Sequence, residues 1–117
     1  MDEDIEIIRE ITTFLDDRKA EDIVVLDLRQ HANIADYFVV STGANKPHLK
    51  ALHDGLQRCF KEHGYKGFQK AGVPDSGWMI FDYQGIMVHI FERELREFYD
   101  LEKLWKDAPR VELVEGE

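Results

Sequence analysis

Residues 78–91 constrain the fold more than any other stretch of this chain. Trp78 to Tyr83 and Ile86 to Phe91 are two short apolar runs separated by Gln84-Gly85, the spacing of a β-hairpin closed by a two-residue turn. Side chains alternate along a strand, so pairing Tyr83 with Ile86 sorts them onto two faces. One face carries Tyr83, Phe81 and Met79 with Ile86, Val88 and Ile90, an apolar core set. The other carries Asp82, Ile80 and Trp78 with Met87, His89 and Phe91, a mixed set that holds the first of two tryptophans. A lone hairpin is marginal in water, so the remaining chain must supply further strands and a covering layer.

Both are present. Ile23 to Leu28 and Tyr37 to Thr42 are short runs rich in β-branched and aromatic residues, as buried strands are. Ile7, Ile8, Ile11, Phe14 and Leu15 fall within one arc at 100° per residue, which predicts an amphipathic helix near the N-terminus. After Gly43-Ala44, Asn45 is an N-cap with Pro47 in the first helical turn. The stripe that follows is Leu49, Leu52, Leu56, Cys59, Phe60 and His63, with Gly64 placed to end the helix. Residues 65–77 are turn-rich, with one short strand near Phe68. A last helix is predicted from Glu94 to Trp105, stopped by Pro109. The order α β β α (β) β β α predicts an α/β fold, a mixed β-sheet flanked by helices.

At 117 residues with 44% hydrophobic content, this is enough chain for one core and one domain. It divides into an acidic N-terminal helix (1–19), a core (20–108) and a short acidic C-terminal tail (109–117). The charge is uneven within the net of −9: residues 1–22 carry −6, residues 23–91 carry +1 and residues 92–117 carry −4. Acidic ends argue against a generic nucleic-acid binder, which needs a basic stripe to neutralise phosphates. They suit either two solvated helices or steering toward a basic partner. No apolar run approaches ~18 residues, so no membrane span is expected. One cysteine forms no internal disulfide, and Met1-Asp2-Glu3-Asp4 is unlike a leader peptide. A reducing compartment, the cytoplasm, is the expectation.

No catalytic constellation stands out. The strand–Gly–helix passage at Thr42-Gly43 lacks both the P-loop and the dinucleotide glycine pattern. Metal-dependent nucleotidyl transfer needs paired carboxylates, but the strands carry single acids, Asp27 and Asp82, with Asp36 in a loop. His31, His48, His53, His63 and His89 form no metal-ligand pair; His48 and His53 lie about 140° apart around a helix. His63 reads as a partly buried helix-end residue and His89 as a hydrogen-bonded strand residue. Cys59 lies on a core stripe, where a thiol is packing. No catalytic residue, metal site or cofactor is expected. What remains is an aromatic surplus. On one continuous helix, Leu95, Phe98, Tyr99, Leu101 and Trp105 span about 160°, and Leu104 widens the arc to about 220°. That is more than one sheet contact hides. Trp and Tyr beside isolated charges are the composition of binding hot spots.

Four stretches resemble the ribosomal silencing factor (RsfS or Iojap) family: AEDIVVLDLR at 20–29, ADYFVVSTG at 35–43, SGWMIFDYQGIMVHIFE at 76–92 and REFYDLEKLW at 96–105. They occur in the family's order and spacing. Three places depart from the pattern: Gln84-Gly85 stands where Gly-Asp is common, Asn45-Lys46-Pro47 where Ser and basic residues are usual, and Lys70-Ala71-Gly72 where an acid precedes the glycine. The resemblance implies a nucleotidyltransferase-like topology without that fold's carboxylate pair. It implies a protein, not an enzyme, that docks on the large ribosomal subunit through ribosomal protein L-fourteen. There it blocks small-subunit joining and represses translation under nutrient limitation. Little direct nucleic-acid binding is implied, and a homodimer using the same apolar patch would compete with docking.

Carried over by motif, the implied partner-binding residues are Trp78, Asp82, Tyr83, His89 and Phe91 on the hairpin, with Arg96, Phe98, Tyr99, Leu101 and Trp105 on the last helix. Trp78 and Tyr99 are the expected exposed anchors and Asp82 the charge offered to a basic partner, while Phe91 and Trp105 are expected to pack. The contrasting expectation is a nucleotidyltransferase-like enzyme or nucleotide binder built on Thr42-Gly43, Asp27, Asp36 and Asp82.

Overall fold

In a computed structural model, which describes residues 2–113, the helices are α1 (Asp2–Asp17), α2 (Lys46–Glu62), α3 (Arg93–Tyr99) and α4 (Leu101–Leu104). The strands are β1 (Glu21–Asp27), β2 (Tyr37–Gly43), β3 (Gln69–Ala71), β4 (Trp78–Tyr83) and β5 (Ile86–Glu92), with a single 3-10 turn at Pro74–Ser76. The hairpin has the predicted register, Tyr83 opposite Ile86. Gln84 and Gly85 both take positive φ, 51° and 87°, as a turn matched to the twist of its strands requires. The five strands form one sheet in the order β1-β2-β5-β4-β3. β2 runs parallel to β5 and every other pair is antiparallel, so the fold is the expected mixed-sheet α/β.

Helices α1 and α2 cover one face of the sheet. Ile8, Ile11 and Leu15 from α1 and Leu49, Leu52, Leu56 and Phe60 from α2 are fully buried against Val39, Met79, Phe81, Ile86, Val88 and Ile90. Each such side chain contributes about 1.5–3 kcal/mol by leaving water. Phe60 is the hub, with its ring edge-on to Tyr65, Phe68 and Phe81. Gly55 lets the two helices close, since a Cβ there would meet the Phe14 ring at 2.6 Å.

The start of α2 is fixed as predicted and then reinforced. Asn45 Oδ1 accepts the backbone N–H of His48 at 2.9 Å, satisfying an orphan donor of the first turn. The His48 ring adds two further bonds: Nδ1 accepts from the Ala44 N–H, and Nε2 donates to the Arg18 carbonyl, each at 2.8 Å. One imidazole thus ties the end of α1 to the head of α2. His63 differs from its expected place, being an exposed C-cap rather than a partly buried residue.

Two further expectations change. The single helix from Glu94 to Trp105 is two short ones, broken at Asp100, whose φ of 46° lies in the left-handed region. The arc computed for one continuous helix therefore does not apply. Residues 109–113, expected as tail, lie against the sheet. Asp27 N–H donates to the Pro109 carbonyl and Val111 N–H to the Val25 carbonyl, with Leu26 bridged to Arg110. This stretch covers the outer edge of β1 from Val25 to Asp27. The last four tail residues, 114–117, lie outside the described residues.

Candidate docking surface

The second face of the sheet is only half covered. Leu95, Leu101, Trp105 and Ala108 pack with Leu26, Leu28, Phe38, Val40 and Phe91, which places the cover over β1, β2 and the near edge of β5. Trp78, Ile80 and Asp82 of β4 and Met87 of β5 remain half-buried, a strip of open sheet with an acid at one end. At its margin α3 presents Phe98, 77% exposed, and Tyr99, 47% exposed. Trp78 joins strip to margin, its ring stacked on Phe91 at 4.9 Å and set against Tyr99 at 4.7 Å. Phe98 meets Tyr99 edge-on at 5.0 Å. Geometries of this kind add stability beyond area burial.

His89 supports the strip from below. It is 3% exposed, and its Nδ1 accepts the indole N–H of Trp78 at 3.1 Å. The other ring nitrogen, Nε2, therefore carries the proton, and it has no hydrogen-bond partner among the described residues. Burial disfavours the charged ring and pulls its pKa down from 6.5 to about 4, so the imidazole is neutral near pH 7. The strand histidine is hydrogen-bonded as expected, through one nitrogen.

The residues singled out from sequence divide into three groups. Trp78, Asp82, Phe98 and Tyr99 are accessible to a partner. Phe91, His89, Leu101 and Trp105 build the layer beneath or beside them, with Phe91 fully buried and Leu101 and Trp105 partly so. Tyr83 and Arg96 belong elsewhere. Tyr83 is on the opposite face, 9% exposed, stacked on Tyr65 at 5.0 Å within the α1/α2 core. Strand alternation puts it there, because it shares parity with Phe81 and Met79. Arg96 is 6% exposed and turned inward. Its Nε and Nη2 donate to the Glu102 carboxylate at 3.2 and 3.0 Å, and its Nη1 donates to Thr42 Oγ1 at 2.8 Å. Ile80 and Met87, both half-buried, enlarge the accessible apolar area of the strip. Alternation already put Ile80 and Met87 on the right face, but nothing in the spacing showed that the cover stops short of them.

The residues of the nucleotide-site expectation are not brought together. Register runs Asp27 to Tyr37 to Ile86 to Tyr83, so Asp27 and Asp82 stand three strand positions apart, on the order of 14 Å. They also point to opposite faces, Asp27 with Val25 and Asp82 with Ile80. Asp27 is closed by Arg29, whose Nη2 lies 2.7 Å from its Oδ2 and holds its pKa below the usual value. Asp36 sits at the hairpin tip against Gly85. Thr42 and Gly43 are both buried. A Cβ on Gly43 would meet Leu49 Cδ2 at 2.7 Å, so this glycine makes room for helix packing. Among the described residues no group of three His, Cys, Asp or Glu side chains gathers to hold a metal, and no helix is long and apolar enough to cross a membrane.

A groove of about 480 Å³ lies between α1 and α2, on the far side of the molecule from the open strip. Its lining includes Arg9, Glu10, Phe14, Arg18, Arg58 and Cys59, a mixture of both charges. Burial pushes the Cys59 thiol pKa up, which suits packing and not nucleophilic chemistry.

Fold and surface together define a class: a small mixed-sheet α/β domain, with helices over one face and half of the other, and an aromatic strip left open on the remainder. The chain matches the family described as "Ribosomal silencing factor during starvation" over residues 1–117. It is 33% identical to a ribosomal silencing factor of Halalkalibacterium halodurans over 108 residues, 92% of each chain. It is 34% identical to one from Bacillus subtilis over 101 residues, 86% of each. A Chromobacterium violaceum protein solved by X-ray crystallography superposes with a TM-score of 0.80 at 28% identity, covering 95% of this chain and 92% of that one. The chain belongs to the ribosomal silencing factor family.

Proposed function

We propose that this protein docks on the large ribosomal subunit through ribosomal protein L-fourteen and, by occupying the space beside it, prevents the small subunit from joining. The observation that carries the reading is the open aromatic strip, Trp78 with Tyr99 and Phe98, on a chain of this family. Exposed aromatic anchors next to a carboxylate fit a compact site on a basic protein, with Asp82 facing a partner Lys or Arg. The net charge of −9 speeds encounter with such a partner and discourages direct contact with phosphate backbones. Catalysis is not required, since a bound domain blocks joining by volume alone. The role belongs to the cytoplasm, where subunits join, and acts to repress translation when nutrients are limiting. Residues 1–117 act as one unit, and a homodimer burying the same strip would compete with docking.

The test is sedimentation of purified large and small subunits with the wild-type protein and with Phe98→Ala and Tyr99→Ala. Loss of joined ribosomes with wild type, restored by either variant, supports the reading. Undiminished joining, with no wild-type protein on the large subunit, overturns it.

A further inference from the structure

Arg96 is a buried charge that the docking reading does not use directly. Its guanidinium makes three bonds, two to Glu102 on α4 and one to Thr42 on β2. Its backbone carbonyl accepts the N–H of Asp100 at 2.9 Å, which ends α3. Asp100 then starts α4, with its side chain accepting the N–H of Lys103. One arginine therefore grips both sides of the chain break, by main chain before it and by side chain after it. The planar fork of Arg suits this bidentate hold, and an ammonium group cannot reproduce it.

The three residues between Arg96 and Asp100 are Glu97, Phe98 and Tyr99, all exposed. Tyr99 meets the strip through its ring contact with Trp78. Phe98 and Tyr99 belong to the last turn of α3, which ends at the break, and Arg96 ties that turn to the sheet through Thr42. We infer that Arg96 is a positioning residue: closed by Glu102 and Thr42, it fixes the break at Asp100 and so aims Phe98 and Tyr99 outward beside Trp78. This rests on the docking reading, and it assigns Arg96 a role through other residues instead of a contact with the partner.

The experiment compares wild type, Arg96→Lys, Arg96→Ala and a control, Leu56→Ala, which loses stability in the core on the other face of the sheet. Affinity for the large subunit is measured well below each variant's melting temperature. Amide hydrogen exchange at Lys103 and Leu104, whose N–H groups both bond the Asp100 carbonyl, reports the break itself. Both Arg96 variants should lose protection at these amides and bind about tenfold or more weakly, while Leu56→Ala keeps wild-type affinity. Rescue of Arg96→Ala binding by millimolar guanidinium, but not by equal sodium chloride, would confirm the role of the fork. Affinity of Arg96→Lys within twofold of wild type, or unchanged amide protection in both variants, overturns the inference. If wild type fails to bind the large subunit, the docking reading falls, and the exchange data still decide whether Arg96 holds the break.

Discussion

Trp78 donates its indole N–H to Nδ1 of His89 at 3.1 Å, so the largest side chain of the open strip is held by a histidine that is itself almost wholly buried. The burial of this ring makes part of the fold's stability depend on pH. In the unfolded chain the ring takes a proton near 6.5; in the folded protein it does so near 4. The unfolded state therefore binds the extra proton first as pH falls, and stability present above about 6.5 is lost progressively down to about 4. Urea unfolding at pH 7 and pH 4.5 should show about 2–3 kcal/mol of this loss in wild type. His89→Leu should remove that increment from the pH dependence, whatever its own cost at pH 7. An identical pH dependence in the two proteins would show that His89 does not supply it.

Phe98 and Phe60 are the same residue type in opposite situations, one 77% exposed and the other fully buried. Phe98→Ala should change unfolding free energy by no more than about 0.5 kcal/mol, while weakening large-subunit binding at least about tenfold. Phe60→Ala, which empties the centre of an aromatic cluster, should cost about 3–5 kcal/mol. Calorimetry alongside a binding assay separates the two effects.

Glycine is demanded at residue 72 and merely convenient at residue 64. A Cβ on Gly72 would lie 2.2 Å from the Trp78 carbonyl oxygen, at a φ of +81°, whereas Gly64, at +74°, has nothing within 4 Å. Gly72→Ala should cost about 2–4 kcal/mol and shift the β3–β4 connection. Gly64→Ala should cost about 1 kcal/mol, the conformational penalty alone. Equal losses in chemical denaturation would contradict this distinction.

The head of α2 carries two polar fasteners. Asn45→Ala removes a cap and should cost about 1 kcal/mol. His48→Ala leaves the Ala44 N–H and the Arg18 carbonyl without their partner and should cost about 1–2 kcal/mol. Because the two residues share one turn, the double variant should depart from additivity, and a double-mutant cycle measures by how much.

The parts of the fold legible from sequence are those written in local chemistry. Strand alternation with Gln84-Gly85 gave the hairpin register, and Asn45 with Pro47 gave the start of α2. The break at Asp100 was not legible, because a non-glycine residue at positive φ is uncommon and the surrounding apolar spacing fits an unbroken helix equally well. The inward turn of Arg96 was hidden for a different reason: one of its partners, Thr42, lies 54 positions away along the chain, and no spacing rule connects them. Parity grouped Tyr83 with Phe81 and Met79 on the core face, where the structure places it. Only its place in a shared motif had set it among the partner-binding residues. Of the surface, Trp78, Phe98 and Tyr99 were recognisable by type, but the extent of the strip depends on where the α3/α4 cover stops, a matter of three-dimensional reach.

The covering of β1 by residues 109–111 has a consequence for how the molecule can meet others. With that border partly occupied, the remaining border of the sheet is β3, three residues long and carrying Lys70, a poor template for strand addition. Main-chain recognition is thereby disfavoured at both borders. Contact through the sheet is then favoured flat-on, side chain against side chain, so that identity of residues more than backbone ladders decides which surfaces this protein accepts.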